Sequence, residues 1–335
     1  MKSLVCINPG ELAYKEIEMP VPAEGQAILR VKKIGICGTD LHAYEGTQPY
    51  FSYPRVLGHE LALEVVEAAG FKKGDAVTII PYFNCGECIA CRNGKPNCCA
   101  ALHVFGVHID GGMKEFISVP LYALVDGEGL SSDDLALIEP LAIGAHGVQR
   151  AGVTEGEFVL VIGAGPIGLG IMEFARIAGG KVIALDINQQ RLDFCNDKLG
   201  VPYTINGATE NVVERLKEIT QGDMATVVID ATGNLKAINA GIQYMAHGAR
   251  FVLVGLQKEA FQCSHPEFHK RESTLMSSRN ATRADFELVI SSIKSGAVQP
   301  ANYITHRVKF DEVAAQFKSW LDPKNGVIKA VIEME

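Results

Sequence analysis

From Met1 to about Leu141 the apolar residues come in short runs, LVCI, AILRVKKIGI, LALEVVEAAG, DAVTIIPY and EFISVPLYALV, separated by Gly, Pro and Asp. Runs of this length bounded by turn residues predict strands, and so a compact β-rich domain. From about Ile143 the texture changes. FVLVIG (158–163) is a continuous apolar run of the kind buried on both faces of a sheet, and PIGLGIMEFARIAGG reads as a helix stopped by Gly179 and Gly180. KVIALD, QQRLDFCNDKLG, PYTIN, NVVERLKEITQG, ATVVIDATG, AINAGIQYMAHG and ARFVLVGL keep strand and helix alternating, with AINAGIQYMAHG in a helix place and ARFVLVGL as the next strand. That order predicts a doubly wound parallel sheet. RADFELVISSIKSG then reads as a helix and KAVIEM as a lone strand that returns to the first domain. The fold class expected is therefore α/β, with a β-rich domain over 1–142 completed by 283–335 and a doubly wound domain over 143–282.

A chain of 335 residues with 47% hydrophobic content has the apolar mass for two domains. A net charge of -8, a pI near 5.7 and no Lys/Arg-rich run argue against a nucleic-acid partner and for a small neutral or anionic metabolite. The opening MKSLVCINPG has an apolar patch too short for a signal sequence, and no stretch reaches the roughly 18 consecutive apolar residues of a membrane span. A cytoplasmic protein without a membrane partner is expected. Nine cysteines, five of them within residues 85–99, fit a metal site in a reducing compartment better than a disulfide framework.

VIGAGPIG carries Gly163, Gly165 and Gly168 as G-x-G-x-x-G, after an apolar strand and at the opening of a helix, with Asp186 closing the next strand. In that context the pattern binds a dinucleotide. Gly163 allows the tight turn, Gly165 lets backbone approach the pyrophosphate, and Gly168 lets helix and strand pack closely. The helix N-terminus, which follows Pro166, presents N–H groups and dipole to the phosphates. Asp186 would accept both ribose hydroxyls and repel a 2′-phosphate, which favours NAD over NADP. The alternative is a structural turn followed by a surface aspartate.

Cys85, Cys88 and Cys91 are separated by two residues each and Cys99 follows eight positions later, a spacing suited to a closed, structural zinc site. Cys98 is an extra thiol, since neighbours in an extended segment point to opposite sides. A redox or disulfide cluster is the other reading. A second set is scattered: Cys37, Thr39, Asp40 and His42 in ICGTDLH, His59 and Glu60 in GHE, Glu139 and His146 in ALIEPLAIGAHG. Singly, these read as a buried thiol, a core histidine and a helix-start acid.

Taken in order, GICGTDLH, GHE, the cysteine lobe, EP and the glycine loop resemble the zinc-dependent medium-chain dehydrogenase/reductase family, which includes alcohol and sorbitol dehydrogenases. The resemblance implies a GroES-like β-rich catalytic domain and a Rossmann domain. It implies that Cys37, His59 and Glu139 are ligands of a catalytic zinc, with Glu60 beside the metal as an outer or alternating ligand. Thr39 matches the hydroxyl that takes the substrate proton and His42 the histidine that passes it to solvent. Cys85, Cys88, Cys91 and Cys99 match the structural zinc, and Cys98 is unused. Gly255 matches backbone beside the nicotinamide carboxamide, and Arg191 is counted with Pro166 and Ile167 among the cofactor residues. The expected reaction is reversible hydride transfer from a secondary alcohol to NAD, in a homo-oligomer, dimer or tetramer.

FSYPRVLGHE and HPEFHK…SRNAT are similar to bacterial sugar-acid dehydrogenases of the galactonate type, so a polyol or sugar acid is the expected substrate. Arg55, His269, Lys270 and Arg279 are basic candidates for its carboxylate or for the cofactor. Tyr50, Phe51 and Tyr53 line the substrate pocket in one reading and pack under the barrel in another. A threonine or simple-alcohol dehydrogenase of the same fold is the nearest rival, and a zinc-stabilised binding protein without catalysis is the alternative of another class.

Overall fold

The computed structural model describes residues 1–48 and 51–334. They form two units, Met1–Pro140 with Ala281–Glu335, and Leu141–Asn280.

Strand Gln26–Gly35 organises the first unit. It pairs antiparallel with Glu60–Glu67, with Phe116–Pro120 and with Lys329–Glu333, and Ile304–Lys309 extends the sheet beyond Lys329–Glu333 in parallel. Inward positions along these strands supply the core: Leu29, Val31, Ile34, Leu61, Leu63, Val65, Ile117, Val119 and Ile332 are buried together. Alternate positions on each strand face that core, while Glu60–Leu63 and Lys329–Ile332 are buried on both faces. A smaller lobe carries the cysteines. Strands Tyr82–Phe83 and His103–Val104 pair at its base, and the short helix Ile89–Arg92 and the turn Pro96–Cys98 fold the loop between them.

In the second unit the strands run parallel in the order Tyr203–Asn206, Lys181–Asp186, Phe158–Ile162, Ala225–Asp230, Met245–Leu253, Thr274–Ser277. This is the doubly wound sheet expected from the alternation. One boundary differs. The last long strand begins at Met245, inside the segment read as helix, because Met245 pairs with Ala225 ahead of a bulge and both are buried. The preceding helix stops at Gly241. No helix of the described residues is long and apolar enough to cross a membrane.

Candidate active site and metal centres

Gly35 lies between the partners of a buried ion pair. It faces Glu60 on one neighbouring strand and Val331 on the other, and a Cβ at Gly35 would lie 2.2 Å from Glu60 Oε2. The missing side chain lets the Glu60 carboxylate meet Lys329, whose Nζ is 2.7 Å from both carboxylate oxygens and 3.1 Å from the Ile36 carbonyl oxygen. Those acceptors use every proton of the ammonium group. Glu60 is 0% and Lys329 2% exposed. Burial alone would lower the lysine pKa, but Glu60, Cys37 and Glu139 outweigh it and hold it above the ordinary value.

Cys37 begins helix Gly38–Glu45. Asp40, buried on the first turn, accepts from Cys37 N at 2.9 Å through Oδ2 and from Gly58 N at 3.1 Å through Oδ1. One carboxylate thus ties the helix start to the loop that carries His59. Gly58 has φ +92°, and side chains at Gly106 or Gly111 would strike its backbone at 2.8 and 2.4 Å, so the loop needs all three glycines.

The ligand atoms of Cys37, His59 and Glu60 lie within 4.8 Å of one another. His59 Nδ1 is buried without a hydrogen-bond partner, 3.8 Å from Asp40 Oδ1. Burial would lower the His59 pKa, yet Asp40, Cys37 and Glu139 raise it well above the ordinary value. Acidic groups on several sides of the ring therefore favour a positive charge at this point. Glu139, on helix Ile138–Ala151, is 4% exposed and accepts at Oε1 from the Tyr82 hydroxyl. Burial, with help from Glu60, raises its pKa against the opposing pull of His59 and Tyr82. Its oxygens are not in the close group of ligand atoms, and neither is His146, farther along the same helix. Thr39 and His42 sit three residues apart on helix Gly38–Glu45, and so on one face of it. His42 is exposed, with Nδ1 3.3 Å from Thr47 Oγ1 and 3.4 Å from Glu45 Oε2.

Cys85, Cys88, Cys91 and Cys99 form a second close group, with Sγ atoms 3.5 Å apart for Cys88 and Cys91 and 3.4 Å apart for Cys85 and Cys99. Backbone amides of Ala100 and Cys91 pull the Cys88 thiol down to about 6, the thiolate character a soft metal ligand needs. Cys98 is exposed and outside the group.

At the glycine loop a Cβ on Gly168 would lie 1.8 Å from Gly163 O, so only glycine lets the helix reach the strand. Gly165 has open space, its nearest atom Arg191 Nη1 at 3.9 Å. Helix Pro166–Ile177 starts with Pro166 and Ile167. Asp186 accepts from Ala164 N at 2.7 Å and from Asn188 N at 2.8 Å, which leaves each oxygen a lone pair facing away from the backbone it holds.

Two family models match the chain. An alcohol dehydrogenase GroES-like domain covers residues 23–128 and a zinc-binding dehydrogenase domain covers residues 166–295. The L-galactonate-5-dehydrogenase of Escherichia coli K12 is 42% identical, with 99% of this chain and 98% of that protein aligned. The chain belongs to the zinc-dependent alcohol dehydrogenase family. A sorbitol dehydrogenase of Halalkalibacterium halodurans is 30% identical over 93% of this chain and 94% of its own length. A short chain alcohol dehydrogenase of Escherichia coli CFT073, solved with NADH, superposes with a TM-score of 0.93 at 33% identity, over 100% of this chain and 99% of that one. As a member of this family the chain is a zinc- and NAD-dependent oxidoreductase with a GroES-like and a Rossmann domain.

Other expected residues find structural work. Phe51 and Tyr53 stack edge to face at 5.0 Å and pack on the barrel core, while Tyr50 lies outside the described residues. Arg55 is held by Ser52 Oγ at 2.8 Å and Asp110 Oδ1 at 3.5 Å. His269 and Lys270 are exposed on helix His265–Lys270, with Lys270 paired to Glu267, and Arg279 follows strand Thr274–Ser277. The sequence reading missed Lys329 and Tyr82. A lysine inside the apolar KAVIEM run was the available signal for the first; nothing in the sequence marked the second.

Proposed function

We propose that the chain oxidises a secondary hydroxyl of a polyol or sugar acid with NAD, using a catalytic zinc at Cys37, His59 and Glu139 and a structural zinc at Cys85, Cys88, Cys91 and Cys99. The first unit supplies the metals and the second the nucleotide site. The observation that carries the reading is the convergence of the Cys37, His59 and Glu60 ligand atoms within 4.8 Å of one another, with buried Glu139 close enough to act on the same histidine. Similarity to the L-galactonate-5-dehydrogenase supports an aldonate substrate. Nine thiols, most of them in the two groups, suit a cytoplasmic setting.

Charge favours Glu139 over Glu60 as third ligand. Glu60 meets a buried lysine through both oxygens, and abandoning such a partner costs about 3–5 kcal/mol. Glu139 meets a neutral phenol at one oxygen, a partner that costs less to leave than a buried ammonium. Bound zinc supplies Lewis acidity that eases loss of the substrate hydroxyl proton, and bound NAD accepts the hydride. Thr39 Oγ1 accepts that proton as it releases its own hydroxyl proton, which exposed His42 on the same helix face passes to water. Asp40 keeps Cys37 and the His59 loop in register, so the ligand geometry is set before metal arrives. Asp186 accepts the adenosine ribose hydroxyls and excludes a 2′-phosphate.

The test is zinc per chain and NADH formation on a panel of aldonates, polyols, threonine and simple alcohols, for wild type, Glu139→Gln and Glu60→Gln. Wild type is expected to hold two zinc ions, one for each group of ligands, and to turn over aldonates or polyols best. Glu139→Gln loses one ion and most turnover, while Glu60→Gln keeps both. The opposite pattern would make Glu60 the third ligand, and preference for threonine would move the substrate class.

A further inference from the structure

The turn after strand Ala225–Asp230 has no role in the site described so far. It stands where the strand order reverses: Phe158–Ile162 is flanked by Lys181–Asp186 on one side and by Ala225–Asp230 on the other. In doubly wound sheets the crevice at that point takes the dinucleotide. The glycine loop is one wall of it. The other wall is the run Asp230, Ala231, Thr232, Gly233, and Asp230 organises it.

The Asp230 carboxylate accepts from Thr232 Oγ1 at 2.7 Å and from Gly233 N at 3.0 Å, and its carbonyl oxygen accepts from Val254 N at 2.9 Å and Gly255 N at 3.1 Å. Thr232 Oγ1 in turn accepts from Asn234 N at 2.9 Å, at the start of helix Leu235–Gly241. Thr232 presses on the glycine loop, since a Cβ at Gly163 would lie 2.7 Å from Thr232 Cγ2. Gly255 presses from the other side, where a Cβ would lie 2.0 Å from Gly233 N. The loops after three neighbouring strands therefore meet at Asp230–Gly233, where the Asp230 side chain holds Thr232 and Gly233, its carbonyl oxygen holds Val254 and Gly255, and the residue is 0% exposed. Burial raises the Asp230 pKa, and the donors from Thr232 and Gly233 work against it. A packed apolar residue would brace a turn without desolvating a charge. A carboxylate with two fixed donors instead sets the position of Thr232 and Gly233 to within hydrogen-bond tolerance.

We propose that Asp230 is a positioning residue for NAD: by fixing Thr232 and Gly233 against Gly163 and Gly255 it sets the width of the crevice that receives the pyrophosphate and nicotinamide half. The proposal rests on the dinucleotide reading of the glycine loop. The test is NADH affinity of the full zinc-loaded chain, by nicotinamide fluorescence titration, with KM for NAD, kcat and melting temperature, for wild type, Asp230→Asn, Thr232→Val and Thr232→Ser. Asp230→Asn is expected to weaken NADH roughly tenfold, the scale of one charge-assisted hydrogen bond, with KM for NAD rising in step and kcat at saturation nearly unchanged. Thr232→Val, of equal size, weakens it in the same direction, and Thr232→Ser, which keeps the hydroxyl held by Asp230 but lacks the methyl against Gly163, stays closer to wild type than Thr232→Val. A lower melting temperature with NADH affinity within about twofold of wild type in the folded variants would make Asp230 a mere brace and overturn the proposal. If Asp230→Asn does not fold, the two Thr232 variants decide by the same criterion. Wild-type protein that binds no NADH would overturn the nucleotide reading as well.

Discussion

Replacing Lys329 with methionine isolates the buried ion pair from everything else in the site. The side chains are close in size, so the change removes a charge and three hydrogen bonds while filling nearly the same space. Glu60, 0% exposed, would keep two carboxylate oxygens with no cation, and the Ile36 carbonyl would lose its side-chain donor. Stranding one member of a buried pair costs about 3–5 kcal/mol. For a unit of this size that is a fall of roughly 10 °C in melting temperature. The assay is thermal melting of zinc-stripped protein, so that metal binding does not mask the loss. Lys329→Met with Glu60→Gln removes both charges, and the double variant is expected to regain more than half of what the single one loses. A loss below about 1 kcal/mol in Lys329→Met, or a double variant in which the two losses simply add, would refute the idea that the pair holds itself together.

Cys88→Ser is expected to remove one zinc ion and lower the melting temperature by more than about 5 °C, with KM for the alcohol within about twofold of wild type; an equally stable variant would argue against a structural metal. Asp133 is hydrogen-bonded by Arg307 and by Lys33, which hold its pKa down to about 2. Its contribution is present above the ordinary carboxylate value of 3.8 and is lost as pH falls through about 2. Wild type should exceed Asp133→Asn by about 1 kcal/mol at pH 5, allowing for solvent screening, and the gap should close towards pH 2. Denaturant titrations at several pH values check it.

The parts of the site legible in the sequence are those that local spacing dictates. Cysteines at intervals of three within one short lobe favour a shared metal over a redox cluster, and a glycine loop between strand and helix with an acid ending the next strand favours a dinucleotide over a plain turn, so both groups are readable before any fold is known. The scattered set Cys37, His59 and Glu139 needed resemblance, because each residue alone has an ordinary structural reading. What stayed hidden depends on register. Lys329 and Glu60 are 269 positions apart and meet only because their strands flank Gly35; shifting either strand by one residue would turn its side chain to the other face. Tyr82 and Glu139 are 57 apart and meet where a strand end faces a helix start, which no periodicity encodes. The early start of strand Met245–Leu253 was missed for a similar reason. Its first residues pair through a bulge, with Gly248 at φ +76°, and a glycine there reads equally well as a helix end.

Counting buried charges links the ion pair to the metal. A dication held by one thiolate, one carboxylate and a neutral imidazole has no net charge, the state easiest to bury. Besides Asp40, which is held by the Cys37 and Gly58 amides, the pocket contains a further carboxylate, Glu60, close enough to Cys37 and His59 to be a ligand itself. Left uncompensated, it would either make the centre anionic, weakening the pull on a substrate hydroxyl, or fill the position that substrate needs. Lys329 cancels that charge and ties both oxygens. The lysine lies far along the chain from every expected ligand, yet on this account it keeps a coordination position open. Zinc-loaded Lys329→Met, if it folds, should therefore lose turnover without losing metal.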